Sequence, residues 1–156
     1  MSAMRNKNKL LIKQLDLKLE PFMDASLIKV PSKGWIHSIR NALNMTLEQL
    51  GKRMGISKQG IKRIEESEAK GTLSINTLKE VAKALDMQLV YALVPKNGSL
   101  QKLIDKKAKE LATRIVLRTH KNMQLENQAI TDEQLQEAIN DLANELRYEM
   151  KKSLWD

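Results

Sequence analysis

Side chains able to do covalent or metal chemistry are few and scattered. Cysteine is absent, which removes thiolate zinc sites, disulfides and thiol nucleophiles together. The only histidines, His37 and His120, are too far apart in sequence for a metal signature, so a surface or capping role is expected of both. Serine, aspartate and glutamate are plentiful, yet there is no G-x-S-x-G, no glycine-rich phosphate loop and no H-E-x-x-H, so no catalytic residue, metal, cofactor or enzymatic activity is expected. Recognition chemistry remains. The segment SKQGIKRIEE, Ser57 to Glu66, carries Lys58, Gln59 and Arg63, whose long polar heads suit base edges: Gln59 the N6/N7 edge of adenine, Arg63 or Lys58 the O6/N7 edge of guanine. Gly60 lacks a side chain and gives clearance for backbone or a thymine methyl. Lys62, with Lys52, Arg53 and the capping groups of Thr46 and Ser57, suits phosphate oxygens, which position a protein without reading sequence. A charge run on its own is ordinarily a solvated face, so the elements that hold these residues must decide.

Those elements form a helical block. Ile36, Ile39 and Leu43 recur at helical spacing, and Thr46 is an N-cap type ahead of a second helix, Leu47 to Met54. Gly55 breaks that helix, because a tight turn between helices needs a residue that tolerates positive φ. Ser57 caps a third helix in which Ile61 and Ile64 are committed to the core. Lys58, Gln59, Lys62 and Arg63 are left outside, which is what a major-groove reader requires: a short helix braced by a preceding one, with polar side chains free near its start.

On either side the pattern changes. Leu11, Ile12, Leu15, Leu19 and Phe22 fit an N-terminal helix ended by Pro21, although Leu15, Leu17 and Leu19 also alternate like a strand; good helix formers and scarce β-branched residues favour the helix. Leu27 to Val30, closed by Pro31 and Gly34, and Gln88 to Pro95 read as short strands that pair with each other or with a copy in a dimer. Asn97 to Ser99 is a turn and N-cap leading to an amphipathic helix with Leu100, Leu103, Ile104, Ala108, Leu111, Ala112 and Ile115. Thr131 with Gln134 is a capping box for a last helix whose stripe is Leu135, Ile139, Leu142, Leu146 and Met150. That stripe reads more readily as intrachain core than as a dimer seam. Trp35, at a helix start, is expected in the core; Trp155, near the end of the sequence, is open between packing and a partner contact.

The 156 residues allow one ordinary domain plus extensions. A net charge of +8 and a pI near 9.7 favour a polyanionic partner. The charge is uneven: +3 over residues 1–30, +5 over 31–98, +5 over 99–124 and −5 over 125–156. No signal-peptide run and no stretch near the roughly 20 apolar residues that span a bilayer is present, so the expectation is a cytoplasmic protein with double-stranded DNA, and no membrane, among its partners.

The block from about 35 to 89 resembles the Cro and lambda-repressor-like helix-turn-helix family, also called the xenobiotic-response-element family. Leu47, Leu50, Gly51, Gly55, Ile56, Ser57, Ile61, Ile64 and Glu65 fill its first motif; Leu78, Val81, Ala82, Ala84 and Leu85 fill its fourth-helix motif. Two positions depart: Leu47 stands where the family often has a phosphate-contacting glutamine, and Gly51 replaces a small alanine. Neither departure is expected to threaten the fold. The expected fold is mainly α: the resemblance implies a lambda-repressor-like helix-turn-helix bundle, and the residue patterns on either side add a small two-stranded β element and N- and C-terminal helical extensions. The expected division is 1–30, a basic helix and short strand; 31–96, the DNA-binding domain; and 97–156, a helical extension for dimer or partner contact. The resemblance implies a sequence-specific regulator acting as a homodimer that represses its own operon.

A further resemblance, carried by QLD at 14–16, GWIHSIRNAL at 34–43, LVYALVP at 89–95 and MQLENQ at 123–128, is to the small group called mobile mystery protein A. It implies a mobile-element repressor encoded beside a Fic-domain partner, and hence an antitoxin role in a toxin-antitoxin pair. The acidic tail from Glu126 departs from a minimal repressor and is the segment expected to hold such a partner.

Overall fold

The computed structural model of the protein describes residues 2–127 and 130–156; Gln128, which ends the MQLENQ segment, lies outside the described residues. Among the described residues there are seven α-helices: α1 (Ser2–Leu19), α2 (Trp35–Ala42), α3 (Leu47–Met54), α4 (Lys58–Lys70), α5 (Ile75–Ala84), α6 (Leu100–Leu125) and α7 (Asp132–Glu149). Short 3-10 turns follow α1 and α7. No described helix is long and apolar enough to cross a membrane. The chain divides into two compact units, one of residues 26–92 and one in which the N-terminal segment ending at Ala25 joins residues 93–156.

In the second of these, Ala108 and Ala112 of α6 are fully buried and, with Ile104, face Ile139 and Leu146 of α7. Two small residues one turn apart let the α6 backbone come close to its neighbours, and the α7 stripe covers this chain's own α6. Both helices start where capping chemistry requires. Ser99 Oγ accepts the Lys102 N–H at 3.1 Å, and Thr131 and Gln134 make a reciprocal capping box. Helix α1 is tied to α6 by Asp16, whose carboxylate accepts the Leu100 N–H at 2.7 Å and the Gln101 N–H at 3.3 Å. An anionic acceptor at a helix N-terminus satisfies otherwise unpaired donors and sits at the positive end of the dipole. After α7, Met150 adopts a left-handed conformation (φ 48°) and the chain folds back to bury Leu154 in the same core.

In the 26–92 unit, α2 to α5 surround Ile36, Leu50, Ile61, Val81 and Leu85. The apolar positions recur at 3–4-residue intervals, so each helix places one stripe inward. Trp35 is 44% exposed and is not part of this core, and Trp155 is exposed as well.

The expected two-stranded β element is not formed; among the described residues there is no strand. Leu27 is drawn into a 3-10 turn, Asp24–Leu27, and the rest of both runs is irregular. The physical reason is context. β propensity reflects how well a side chain packs on a half-buried pleated surface. Leu27 is 82% and Leu93 89% exposed, with Ile28, Val30, Val90 and Tyr91 also outward, so these residues have no such surface to cover. The two runs are where the chain passes between its units, and connection prevails over pairing.

Candidate nucleic-acid interface

The helix pair at the centre of the 26–92 unit is fixed by capping chemistry at three points. Thr46 Oγ1 accepts the Gln49 N–H at 3.1 Å while Gln49 Oε1 accepts the Thr46 N–H at 2.8 Å, a full capping box that starts α3. Gly55 ends α3 in a left-handed conformation, φ 70°, where a Cβ would add strain. Ser57 Oγ then accepts the Gly60 N–H at 3.1 Å and starts α4. The turn is close-packed. The Ile56 N–H donates to the Gly51 carbonyl at 3.0 Å, and a Cβ on Gly51 would stand 2.6 Å from the Ile56 carbonyl oxygen. Glycine at 51 therefore belongs to a turn tighter than alanine would permit.

Helix α4 is two-sided. Ile61 is 0% and Glu65 7% exposed, with Ile64 partly buried against the same core. Lys58, Gln59, Lys62 and Arg63 are all exposed, and among the described residues none has a side-chain partner. The structure thus brings four of the nine sequence-nominated residues onto one outward helix surface. Gly60 is half-buried, and its missing Cβ would lie 3.3 Å from Ile56 Cδ1, so part of the space beside it is filled by this chain. Thr46, Lys52 and Ser57 are exposed; Glu48, in the first turn of α3, puts a negative charge near Thr46. Arg53 is held elsewhere. Its Nη1 donates to the Ala84 carbonyl and to Asp86 Oδ2, both at 3.0 Å, tying α3 to the end of α5 and leaving its other N–H donors unused by these two bonds.

Behind the outward face lies a network that sequence reading missed. Arg40 on α2 donates from Nε to Glu65 Oε1 at 2.6 Å, from Nη2 to Glu65 Oε2 at 3.2 Å, and from Nη1 to the Met45 carbonyl at 2.8 Å. His37 Nδ1 lies 3.0 Å from Glu65 Oε2, and its Nε2 is 2.9 Å from Asn41 Nδ2. Glu68 caps α2, accepting the Trp35 and Ile36 N–H groups at 2.9 Å each. Gly34, the N-cap position of α2, has no capping side chain. That gap was the available signal that an acceptor had to arrive from elsewhere in the chain.

Burial tends to raise the Glu65 carboxyl pKa, but the hydrogen bonds and positive charge of Arg40 and His37 outweigh it, so the group stays below the usual carboxylate range. A native pKa below the unfolded one contributes stability above the unfolded value, and this is lost as pH falls through that value toward the native one. The thermal midpoint of this unit is therefore expected to fall as pH drops through the ordinary glutamate range, and Glu65→Gln should flatten that acid limb. Acid limbs of equal slope in calorimetric scans of the two proteins would contradict the assignment.

A major-groove reader needs a short helix braced by a preceding one across a tight turn, with its outward side chains unspent. The pair α3 and α4 meets that geometry. Residues 36–91 match the helix-turn-helix family model. That match covers 56 of the 156 residues and supports a DNA-binding role for this segment. It takes in α3, the turn at Gly55 and α4 entire, together with nearly all of α2. No curated protein and no solved structure matches the chain.

Proposed function

We propose that the chain is a sequence-specific transcriptional regulator in the cytoplasm that reads the major groove with α4 and represses its own operon as a homodimer. In this reading Lys58, Gln59 and Arg63 meet base edges, with Gly60 giving clearance. Thr46, Lys52, Arg53, Ser57 and Lys62 meet phosphates. The observation that carries it is the division of α4: Ile61 and Glu65 are spent on the fold, while Lys58, Gln59, Lys62 and Arg63 are exposed and uncommitted. Arg53 reaches phosphate with donors that its bonds to Ala84 and Asp86 leave over.

Base and phosphate contacts separate under mutation. Arg63→Ala is expected to relax preference at one base pair by about 1–3 kcal/mol, while Lys62→Ala weakens binding to all sequences alike and lowers the salt slope by about 1. Competition binding on operator and single-base variants, at two salt concentrations, measures both. Unchanged base preference in both the Gln59→Ala and Arg63→Ala proteins would overturn the assignment of α4.

A second reading, that the protein is an antitoxin restraining a Fic-domain partner, rests on the resemblance to mobile mystery protein A and on one feature of α7. Glu133, Glu137, Asp141 and Glu145 are exposed at i, i+4 spacing, and like charges so placed repel by about 0.2–0.5 kcal/mol per pair. A basic partner surface would relieve that repulsion. Deleting α7 would remove Ile139 and Leu146 from the core, so the sharper test is Glu137→Lys with Asp141→Lys. Those changes are expected to abolish co-purification with the neighbouring gene product and to leave DNA binding intact; an undiminished complex would exclude this surface.

A further inference from the structure

Helix α6 lies outside the matched segment 36–91. Its surface carries two runs of cations with the same spacing, i, i+4 and i+7: Lys102, Lys106 and Lys109, then Arg114, Arg118 and Lys121. All six are exposed. Side chains three or four residues apart are neighbours on a helix, so within each run like charges repel. Counting every charge, paired or not, α6 carries seven basic and two acidic residues, a net +5. Adding Glu126, the C-cap residue, and Asp156, whose carbonyl accepts from Arg114 at 3.4 Å, still leaves +3. Pairing is sparse as well. Glu110 is shared between Lys106 at 3.9 Å and Lys107 at 3.2 Å, and Asp105 lies 3.7 Å from Arg147 of α7. The side chains of Lys102, Lys109, Arg118 and Lys121 have no hydrogen bond or ion pair among the described residues. Helix electrostatics do not account for the first run, because a helix start favours acids, yet the first turn of α6 has none and holds Lys102. The apolar side of α6 is spent on α7 through Ile104, Ala108 and Ala112, so the outward side is not the apolar face that a bilayer takes. Unpaired cations along about 28 Å of helix from Lys102 to Lys121 suit a line of phosphates, where each displaces a condensed counterion.

We propose that the outward face of α6 binds the phosphate backbone of double-stranded DNA without reading its sequence. This rests on the DNA-binding reading of residues 36–91 and adds a contact surface outside that segment. Base preference stays with α4, while α6 contributes affinity that is equal for all sequences and falls with salt.

The test measures binding of the full chain to its own promoter and to a random-sequence duplex over a range of salt concentrations. Wild type is compared with Lys109→Gln, Arg118→Gln, Lys121→Gln on α6 and with an equal charge change on α1, Lys7→Gln, Lys13→Gln, Lys18→Gln. The α6 variant is expected to lower the salt slope by about 2–3 and affinity for both duplexes by about tenfold or more, with the ranking of single-base promoter variants unchanged. The α1 variant should lower the slope by less than about 1. In wild type, either duplex should shield the amines of Lys102, Lys109 and Lys121 from acetylation and leave Lys7 and Lys18 open, which decides the matter if the α6 variant misfolds. An unchanged slope in the folded α6 variant, an equal loss in the α1 variant, or unshielded α6 lysines would overturn the proposal and leave the reading of α4 intact. So would α6-dependent binding to phosphatidylglycerol vesicles that is tighter than binding to the random duplex. A wild-type chain that bound neither duplex would overturn both readings together.

Discussion

Replacing Arg40 with alanine is expected to destabilise the 26–92 unit by about 3–5 kcal/mol, the usual cost of removing one partner from a buried ion pair. Arg40 and Glu65 are each only 7% exposed, and the guanidinium provides two of the hydrogen bonds to the Glu65 carboxylate and one to the Met45 carbonyl. Alanine leaves the carboxylate in the same place with His37 as its nearest remaining partner, so desolvation is no longer matched. At roughly 4–8 °C per kcal/mol for a domain of 60–100 residues, the melting transition should move by more than about 10 °C. The pair is dispensable as a pair. An apolar double replacement, Arg40→Met with Glu65→Leu, removes both charges and should recover most of the loss. Urea unfolding of the three variants measures this; an Arg40→Ala protein within about 1 kcal/mol of wild type would contradict the burial assigned to the pair.

The second large effect is expected at Ile61, which is fully buried although it lies between the exposed Lys58 and Gln59 on one side and Lys62 and Arg63 on the other. Ile61→Ala should cost about 2–5 kcal/mol and Ile61→Val about 0.5–1.5 kcal/mol, because the site cannot fully close around the lost carbons. Neither change touches the outward face. Apparent DNA affinity should then fall only as the folded fraction falls, with the ranking of base variants unchanged. Circular dichroism melts, beside competition binding carried out below the melting range, separate the two effects. An Ile61→Ala protein that stays folded but ranks the base variants differently would place Ile61 on the reading surface.

What could be read from sequence was what is local. Thr46 with Gln49, Ser57, Ser99, and Thr131 with Gln134 each act within three residues, and each starts a helix where its pattern indicates. The inward commitment of Ile61 followed from 3.6-residue periodicity alone. What escaped depends on pairing across distance. Arg40 finds Glu65 across a turn and another helix, Glu68 reaches back to cap α2, and Asp16 reaches α6 from the first helix. Nothing in the flanking residues marks those partners. The runs at 27–30 and 88–95 misled for the opposite reason: their composition is that of strands, yet most of their apolar side chains are exposed and the backbone stays unpaired in a ladder. Trp35 misled similarly, since a large apolar residue at a helix start need not turn inward.

Among the nine nominated contact residues, the structure sharpens the weights. Lys58, Gln59, Lys62 and Arg63 gain from being outward and uncommitted. Gly60 loses some of its clearance to Ile56, Arg53 is shared with Asp86, and Thr46 has Glu48 close by in sequence. In the proposed reading, base contact then falls to three side chains of one helix, and phosphate contact chiefly to Lys52, Ser57 and Lys62.

The most direct test of that account is a hydroxyl-radical footprint titration on the promoter of the chain's own gene, on its single-base variants and on random DNA, with wild-type protein and with Gln59→Ala and Arg63→Ala proteins. The account predicts wild-type protection of two half-sites about 10–10.5 base pairs apart, centre to centre, and relaxed preference at a different base pair in each variant. Equal protection of operator and random DNA, or unaltered preference in both variants, would contradict it.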